Sequence, residues 1–195
     1  MKKIGLLVSI SILMNISGFS QKAKWSVDPD HSNIQFSATY MSVSEVSGNF
    51  KTYSGTVLSG KEDFTDAEIS VTIQAGSIDT DNDKRDNHLK SDDFLYAEEY
   101  PEITFTSSSL KKMDGKNYQM KGELTIRGVT REETLDVEYS GIVEAMEKTR
   151  AGFKVTGTID RFDYNVDWNK SFTKGLVVSK EIDITCNVNL VKEQQ

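Results

Sequence analysis

The sequence predicts an all-β fold: an eight-stranded antiparallel barrel with one short helical segment near residues 84–96. Three observations predict it. Apolar and polar residues alternate with a period of two through most of the chain, the mark of strands with one wet face and one buried face. No stretch has room for the repeated helical crossovers that parallel strands need. The alternating runs extend from near Ile34 to near Leu190, so both ends of the sheet belong to long strands able to pair. A sheet of this many strands must close on itself or be covered by a second sheet, and end strands that can pair favour closure.

The elements follow in order. Met1-Lys2-Lys3, an apolar run from Ile4 to Met14, and the small residues Gly18 and Ser20 before Gln21 have the layout of a secretory signal peptide. The run is interrupted too early for a bilayer span of about 20 apolar residues. Residues 1–20 are therefore expected to be a cleaved leader and residues 21–195 an exported domain, periplasmic or secreted, with no stable insertion in a membrane. Ile34, Phe36, Ala38 and Tyr40 share one face of the first long strand. Val46 to Val57 reads as one further strand, in which Gly48 and Gly55 blur the phase and suggest bulges. The period returns in Ala67-Ile69-Val71-Ile73-Ala75, Ile103-Phe105, Tyr118-Met120-Gly122-Leu124-Ile126, Leu135-Val137-Tyr139 and Phe153-Val155-Gly157-Ile159. It is cleanest in Ile182, Ile184, Cys186, Val188 and Leu190. Lys84 to Tyr96 breaks it, with Leu89, Phe94 and Leu95 as the apolar side of short helical turns that Pro101 ends. An eight-stranded barrel holds either packed side chains or one small ligand. The small inward residues Ala38, Ala67, Ala75, Gly122 and Gly157, mixed with Phe36, Phe105 and Phe153, leave open whether the interior is a slot or tight packing.

Charge and chemistry narrow the function. Without the first 20 residues the chain has 21 basic and 30 acidic groups, a net charge of −9. That argues against nucleic acid as a partner and against a polybasic grip on anionic lipid. Cys186 is the one cysteine, so no disulfide forms within the chain. His31, His88 and Cys186 include no close-spaced pair of ligands, and no metal or cofactor is expected. Asp79, Asp81 and Asp83 open like a calcium loop, but Lys84 and Lys90 stand where its glycine and glutamate belong. Asp28-Pro29-Asp30-His31-Ser32 holds the residue types of a nucleophilic triad. Neighbours on an extended chain point apart, however, so a capped turn is the expectation. In Asp163 to Phe172, Tyr164, Trp168 and Phe172 are spaced four apart with no strand period, which suits a plug or an aromatic lid at one barrel end.

Taken in order, a set of short segments resembles the YceI family across nearly the whole mature chain. They are Trp25-Ser26-Val27-Asp28 with His31-Ser32 and Phe36, Gly48-Asn49-Phe50, and Arg85-Asp86-Asn87-His88-Leu89 with Ser91, Asp92, Asp93 and Phe94. Tyr100-Pro101-Glu102-Ile103-Thr104-Phe105, Gly122-Glu123-Leu124-Thr125-Ile126-Arg127-Gly128-Val129-Thr130 and Ile159-Asp160-Arg161 complete the set. The resemblance implies an exported, elongated, lipocalin-like barrel with a long apolar tunnel that binds polyisoprenoid or other long amphiphilic chains without catalytic machinery. One segment departs from the pattern. Where family members carry Phe-Gly after the Asp-Arg pair, this chain has Phe162-Asp163-Tyr164-Asn165, and asparagine also tolerates the left-handed backbone such a turn needs.

The leading expectation is a binding protein, not an enzyme, for a long-chain amphiphile such as a polyisoprenoid, an isoprenoid quinone or a fatty-acid derivative. Expected tunnel residues are Phe36, Tyr40, Ile69, Val71, Phe105, Leu124, Phe153 and Ile184, with Tyr164 and Trp168 in the lid and Arg85, His88 and His31 near the mouth. Arg85 and Asp86 are alternatively a pair that pins the short helix. Two other classes stand beside this one: an enzyme on an isoprenoid-type substrate with His31 or His88 as acid or base, and an envelope stress or interaction protein with a filled core. Assembly as a homodimer is open.

Overall fold

In the computed structural model, which describes residues 22–172 and 175–194, the polypeptide closes into a barrel whose wall is eight strands. The expected signal peptide, residues 1–20, lies outside the described residues. Three of the eight strands are each broken once into two pieces laid end to end. β1 (Ala23–Val27) continues as β2 (Asn33–Tyr40), β3 (Ser44–Phe50) as β4 (Tyr53–Ser59), and β5 (Glu68–Gln74) as β6 (Ile78–Asp79). A helix, α1 (Asp83–Lys90), then crosses one end. β7 (Glu102–Asp114), β8 (Asn117–Ile126), β9 (Val129–Ala145) and β10 (Lys148–Asp160) follow as an antiparallel meander. A small hairpin, β11 (Ser171–Phe172) and β12 (Gly175–Leu176), precedes β13 (Val178–Lys192). β13 closes the ring, pairing with β10 on one edge and with both β1 (Trp25 opposite Lys192) and β2 (Phe36 opposite Ile184) on the other.

Each break has a local cause. Between β1 and β2, Pro29 offers no amide to the ladder and starts a single helical turn. The Asp28 carboxylate caps it, accepting from the Asp30 amide at 3.2 Å, His31 Nδ1 at 3.0 Å and Arg150 Nη1 of β10 at 2.6 Å. The Asp28 amide donates to Asn189 O at 2.8 Å, and the Asn189 amide donates to Ser32 Oγ at 2.9 Å. The break is thereby fastened to β13. This is the capped turn that the sequence predicts, with the Ser32 hydroxyl engaged by the backbone and not by His31.

The single strand expected over Val46–Val57 is two, and the glycines are not where it breaks. It breaks at Lys51-Thr52, whose amides turn aside to the turn between β5 and β6, donating to Ser77 O at 3.1 Å and Ser77 Oγ at 3.0 Å. Gly48 and Gly55 are points of close approach. A Cβ on Gly48 would lie 2.6 Å from Phe36 Cζ, and one on Gly55 would lie 2.7 Å from Val27 Cγ2.

α1 is shorter than the segment 84–96 suggested, because Ser91 leaves the helix and residues 91–101 run as turns. Asn82 caps its start, its Oδ1 accepting from the Arg85 amide at 3.0 Å. Arg85 and Asp86 pin the helix through Thr80 and not by pairing with each other. Asp86 Oδ1 accepts from the Thr80 amide at 2.9 Å and its hydroxyl at 2.5 Å, while Arg85 donates from Nε to Thr80 Oγ1 and from Nη2 to Thr80 O, both at 2.7 Å. Asn165 adopts φ 57° and ψ 25° at the end of the turn over Arg161–Tyr164, so the left-handed turn is kept with asparagine in it.

The end of the barrel away from α1 is floored by the loop between β4 and β5. Phe64, 1% exposed, packs among Trp25 (ring centroids 5.2 Å apart), Phe153 (5.1 Å) and Tyr139 (5.7 Å). It does so with φ +56°, an unfavourable backbone for an aromatic residue. The loop is held in that shape from its flanks. Asp66 accepts from Ser59 Oγ at 2.7 Å and the Gly60 amide at 3.0 Å, and Tyr139 Oη donates to Glu62 O at 3.0 Å.

Two outcomes follow for stability. Phe64→Ala removes the floor's central ring and should lower the free energy of unfolding by about 3–5 kcal/mol in a urea titration; a loss under ~1 kcal/mol would mean that the floor does not support the barrel. Arg150, with help from His31 and the Asp30 amide and against desolvation, holds the Asp28 carboxyl below its ordinary value of 3.8. The folded state therefore keeps this carboxylate ionised to lower pH than the unfolded chain does. Its stabilisation is complete above about pH 4 and is lost as the pH falls through the folded value. Asp28→Asn should show a stability deficit at neutral pH that shrinks under acid conditions; an equal deficit in paired urea melts at both conditions would rule out the charge as the cause.

Candidate functional site

The alternation that makes the strands leaves one continuous apolar face inside the barrel, and that face encloses a cavity of about 730 Å³. Its deep end lies at Phe64, Ala67 and Leu190, and its other end at Arg85, His88, Tyr40 and Trp168. His88 and Tyr40 face both the cavity and the solvent, which makes the α1 end the mouth. The interior is thus hollow along part of its length, while Gly122 and Gly157 are covered. Phe105 lies over Gly122, where a Cβ would meet its Cζ at 2.4 Å, and Leu135 lies over Gly157 at the same distance. Ala38 and Ala67 border the cavity, and Ala75 is buried outside it. Cys186 faces the cavity from β13, and burial pushes its thiol up to about 11, so it is protonated and unreactive at neutral pH.

The mouth is assembled from α1, the turns after it, and residues 161–170 and 176–178. Loops at the edge of a low-dielectric space leave backbone carbonyls in need of donors, and two arginines supply them. Arg161, 5% exposed, donates from Nε to Ser179 O at 2.9 Å, from Nη1 to Trp168 O at 3.1 Å and to Val166 O, and from Nη2 to Val178 O at 3.3 Å. Its guanidinium lies over the Phe162 ring at 4.7 Å. Burial pulls its pKa below the ordinary arginine value, while Asp160 and Asp167 hold it up. Arg127 donates to Phe94 O at 3.0 Å, Asn165 O at 2.7 Å and Asp92 O at 2.8 Å, and so ties the turns after α1 to the turn that ends at Asn165. Asn169 adds both sides of its amide, donating to Val178 O at 2.6 Å and accepting from the Val177 amide at 3.1 Å.

Over this frame sits an aromatic cluster. The His88 ring meets Phe94 and Trp168 edge-on, each at 4.9 Å between centroids, and Phe94 and Trp168 are 5.1 Å apart. His88 Nε2 lies 2.8 Å from Asp93 Oδ2. Tyr164, fully buried, donates its hydroxyl to Glu133 Oε1 at 2.5 Å, and burial together with that carboxylate raises its pKa strongly.

Phe36, Tyr40, Ile69, Val71, Phe105, Leu124, Phe153 and Ile184 all border the cavity. So do Tyr164 and Trp168 of the expected lid and Arg85 and His88 of the expected mouth. The side chain of Phe172 lies outside the described residues. His31 does not belong with them: it sits on the outer wall at the β1–β2 break, 64% exposed at its side chain, with Nδ1 3.0 Å from Asp28. Pro29 forces the chain out of the strand there, which carries the ring away from the interior. An acid or base role at the cavity is therefore closed to His31. Among the described residues, no group of three or more His, Cys, Asp or Glu is placed to hold a metal ion. Arg161, Arg127 and the Phe64 floor were not read as site residues from the sequence. Arg127 carries one local signal, its place in an Arg-Gly turn, where it takes φ +49°.

Comparison with known proteins accords with this architecture. A UPF0312 protein of Staphylococcus aureus is 37% identical over 161 residues, covering 81% of this chain and 91% of that protein. The crystal structure of a Campylobacter jejuni YCEI protein superposes with a TM-score of 0.67 at 32% identity, covering 80% of this chain and 90% of that one. Burkholderia cenocepacia BcnA superposes at 0.70 with 25% identity, covering 84% and 98%. A polyisoprenoid binding domain from Saccharophagus degradans, at 17% identity and a TM-score of 0.64, shares the fold. The YceI-like domain model matches residues 25–190, and the chain belongs to the YceI family.

Proposed function

We propose that the protein is an exported carrier that holds one long-chain amphiphile, a polyisoprenoid or fatty chain, with its tail toward Phe64 and its polar head at the mouth. The observation that carries this reading is the cavity: about 730 Å³ of space with a nearly continuous apolar wall, and with Arg85, His88 and Arg161 gathered toward one end. That size lies within the roughly 300–1,000 Å³ of small-molecule sites. The Saccharophagus degradans protein that shares the fold is a polyisoprenoid binding domain, which supports the same ligand class. Export is supported by the leader-like pattern of residues 1–20.

The energetics suit a reversible carrier. Each buried methylene contributes about 0.8 kcal/mol, so roughly ten to fifteen give ~8–12 kcal/mol before association and chain ordering are subtracted. What is left corresponds to micromolar to nanomolar binding. Such a wall discriminates by chain length and width, because it offers a tail few hydrogen-bonding groups.

Native mass spectrometry of the protein incubated with a long-chain polyprenol, and separately with a long-chain fatty acid, should give a one-to-one complex; a barrel that stays empty with both would overturn the reading. Ala38→Trp fills the cavity from β2 near the mouth and should weaken retention of the same probes by at least about tenfold while the fold is kept, as judged by circular dichroism. Unchanged retention would place the chain somewhere other than this cavity.

A further inference from the structure

The exposed large hydrophobic side chains of the described residues gather at the two ends of the barrel. At the floor end, Met113, Ile142, Val143 and Met146 stand near hairpin tips among Lys111, Lys112, Asp114, Glu144, Glu147 and Lys148. At the mouth end are Tyr40, Met41, Val43 and Leu176, with Val43 84% exposed. Two features set the mouth group apart. No charged residue occurs from Ser32 to Ser44. The group is also continuous with the cavity: Tyr40 belongs to both the rim and the wall, and Val178 beside it lines the wall as its partner in β13.

The two rim segments are joined. The Met41 amide donates to Val177 O at 2.8 Å, and the Val177 amide donates to Lys170 O at 2.9 Å. This places the uncharged β2–β3 tip beside Val177 and Lys170, in a chain of net charge −7. Lys180 is engaged by Asp160 and Glu181, while Lys170 is exposed. An apolar tip beside an exposed lysine complements a phospholipid surface, with its phosphates outermost and hydrocarbon beneath.

We infer that this rim docks on a phospholipid bilayer, with Met41 and Val43 entering the boundary between head groups and acyl chains. Docking sets the cavity mouth against the hydrocarbon, so that a long apolar tail moves between membrane and barrel without crossing water. The contact is peripheral; no helix of the described residues is long and apolar enough to cross a membrane. The inference rests on the carrier reading of the cavity, and the test separates the two.

Three proteins are compared in the form recovered from cells, so that the N-terminal run contributes equally to each: wild type, M41D/V43D, and the floor-end control V143D/M146D. Met41 has φ +50°, a backbone that aspartate tolerates, and circular dichroism verifies the fold of each variant. Flotation with phosphatidylcholine–phosphatidylglycerol vesicles reads docking. Loading with a fatty acid dispersed from ethanol reads the cavity. Loading of the same acid from the vesicles reads transfer. M41D/V43D should bind vesicles and load from them about tenfold less than wild type, yet load from dispersion normally, and V143D/M146D should match wild type in all three. Undiminished flotation of M41D/V43D, or an equal loss in V143D/M146D, overturns the docking. A shift of M41D/V43D to a smaller assembly on sizing, with flotation unchanged, would assign the rim to a second copy of this chain and overturn it too. If the wild-type protein fails to load from dispersion, it is the carrier reading that falls, while flotation still decides the docking.

Discussion

One edge of β13 carries two partners, and the rest of the barrel depends on that sharing. A closed barrel leaves no unpaired strand edge, yet here β1 and β2 are separate pieces divided at Pro29, and neither alone would close the ring. β13 spans both, meeting β1 through Leu190–Lys192 and β2 through Ile182–Asn187. Asp28 and Ser32 fasten the seam between them to Asn189 of the same strand. The Asn189–Ser32 contact joins residues 157 positions apart, so closure is a non-local event.

The two ends solve the closing of an apolar space differently. At the floor, aromatic rings meet ring to ring around Phe64, and burial of large apolar surface outweighs the awkward backbone of that residue. At the mouth, irregular backbone borders the cavity, and its carbonyls would be costly to leave unpaired. Arg161 and Arg127 answer that need with planar guanidinium groups whose several donors reach carbonyls of different turns at once. The floor is therefore held by area and the mouth by hydrogen bonds, which leaves His88, Phe94 and Trp168 as a polarizable aromatic collar on a rigid frame.

How far this was legible in the sequence depends on where each signal resides. β13 reads at sight, because Ile182 to Leu190 alternate without a fault and the strand has no break. The two-piece strand over 44–59 does not, because its break is imposed by Ser77, a residue of the distant turn between β5 and β6, and the nearby glycines answer to Phe36 and Val27 instead. The cavity wall follows from phase alone, since a period of two puts Phe36, Val71, Phe105 and Ile184 on one side. The mouth is harder. Arg161 and Arg127 bind main-chain carbonyls, which every residue has, so no complementary side chain in the sequence announces them. Phe64 sits alone in a polar loop with no period to mark it. His31 and His88 look alike as letters; only Pro29, which turns the chain outward, separates their places.

The glycines opposite large side chains have a consequence for how the interior is dimensioned. Phe36 rests on Gly48, Phe105 on Gly122 and Leu135 on Gly157, each neighbour filling the space a methyl group would take. Where the tight contact is to a side chain, as at Gly157, a methyl group there would displace Leu135, itself part of the lining, with no substitution among the residues that border the cavity. The calibre of the bore is thus governed from behind its lining, by three missing carbons in the wall. Relatives with the same lining can differ in bore, and a chain of given girth can be admitted or refused by substitutions at positions it never meets.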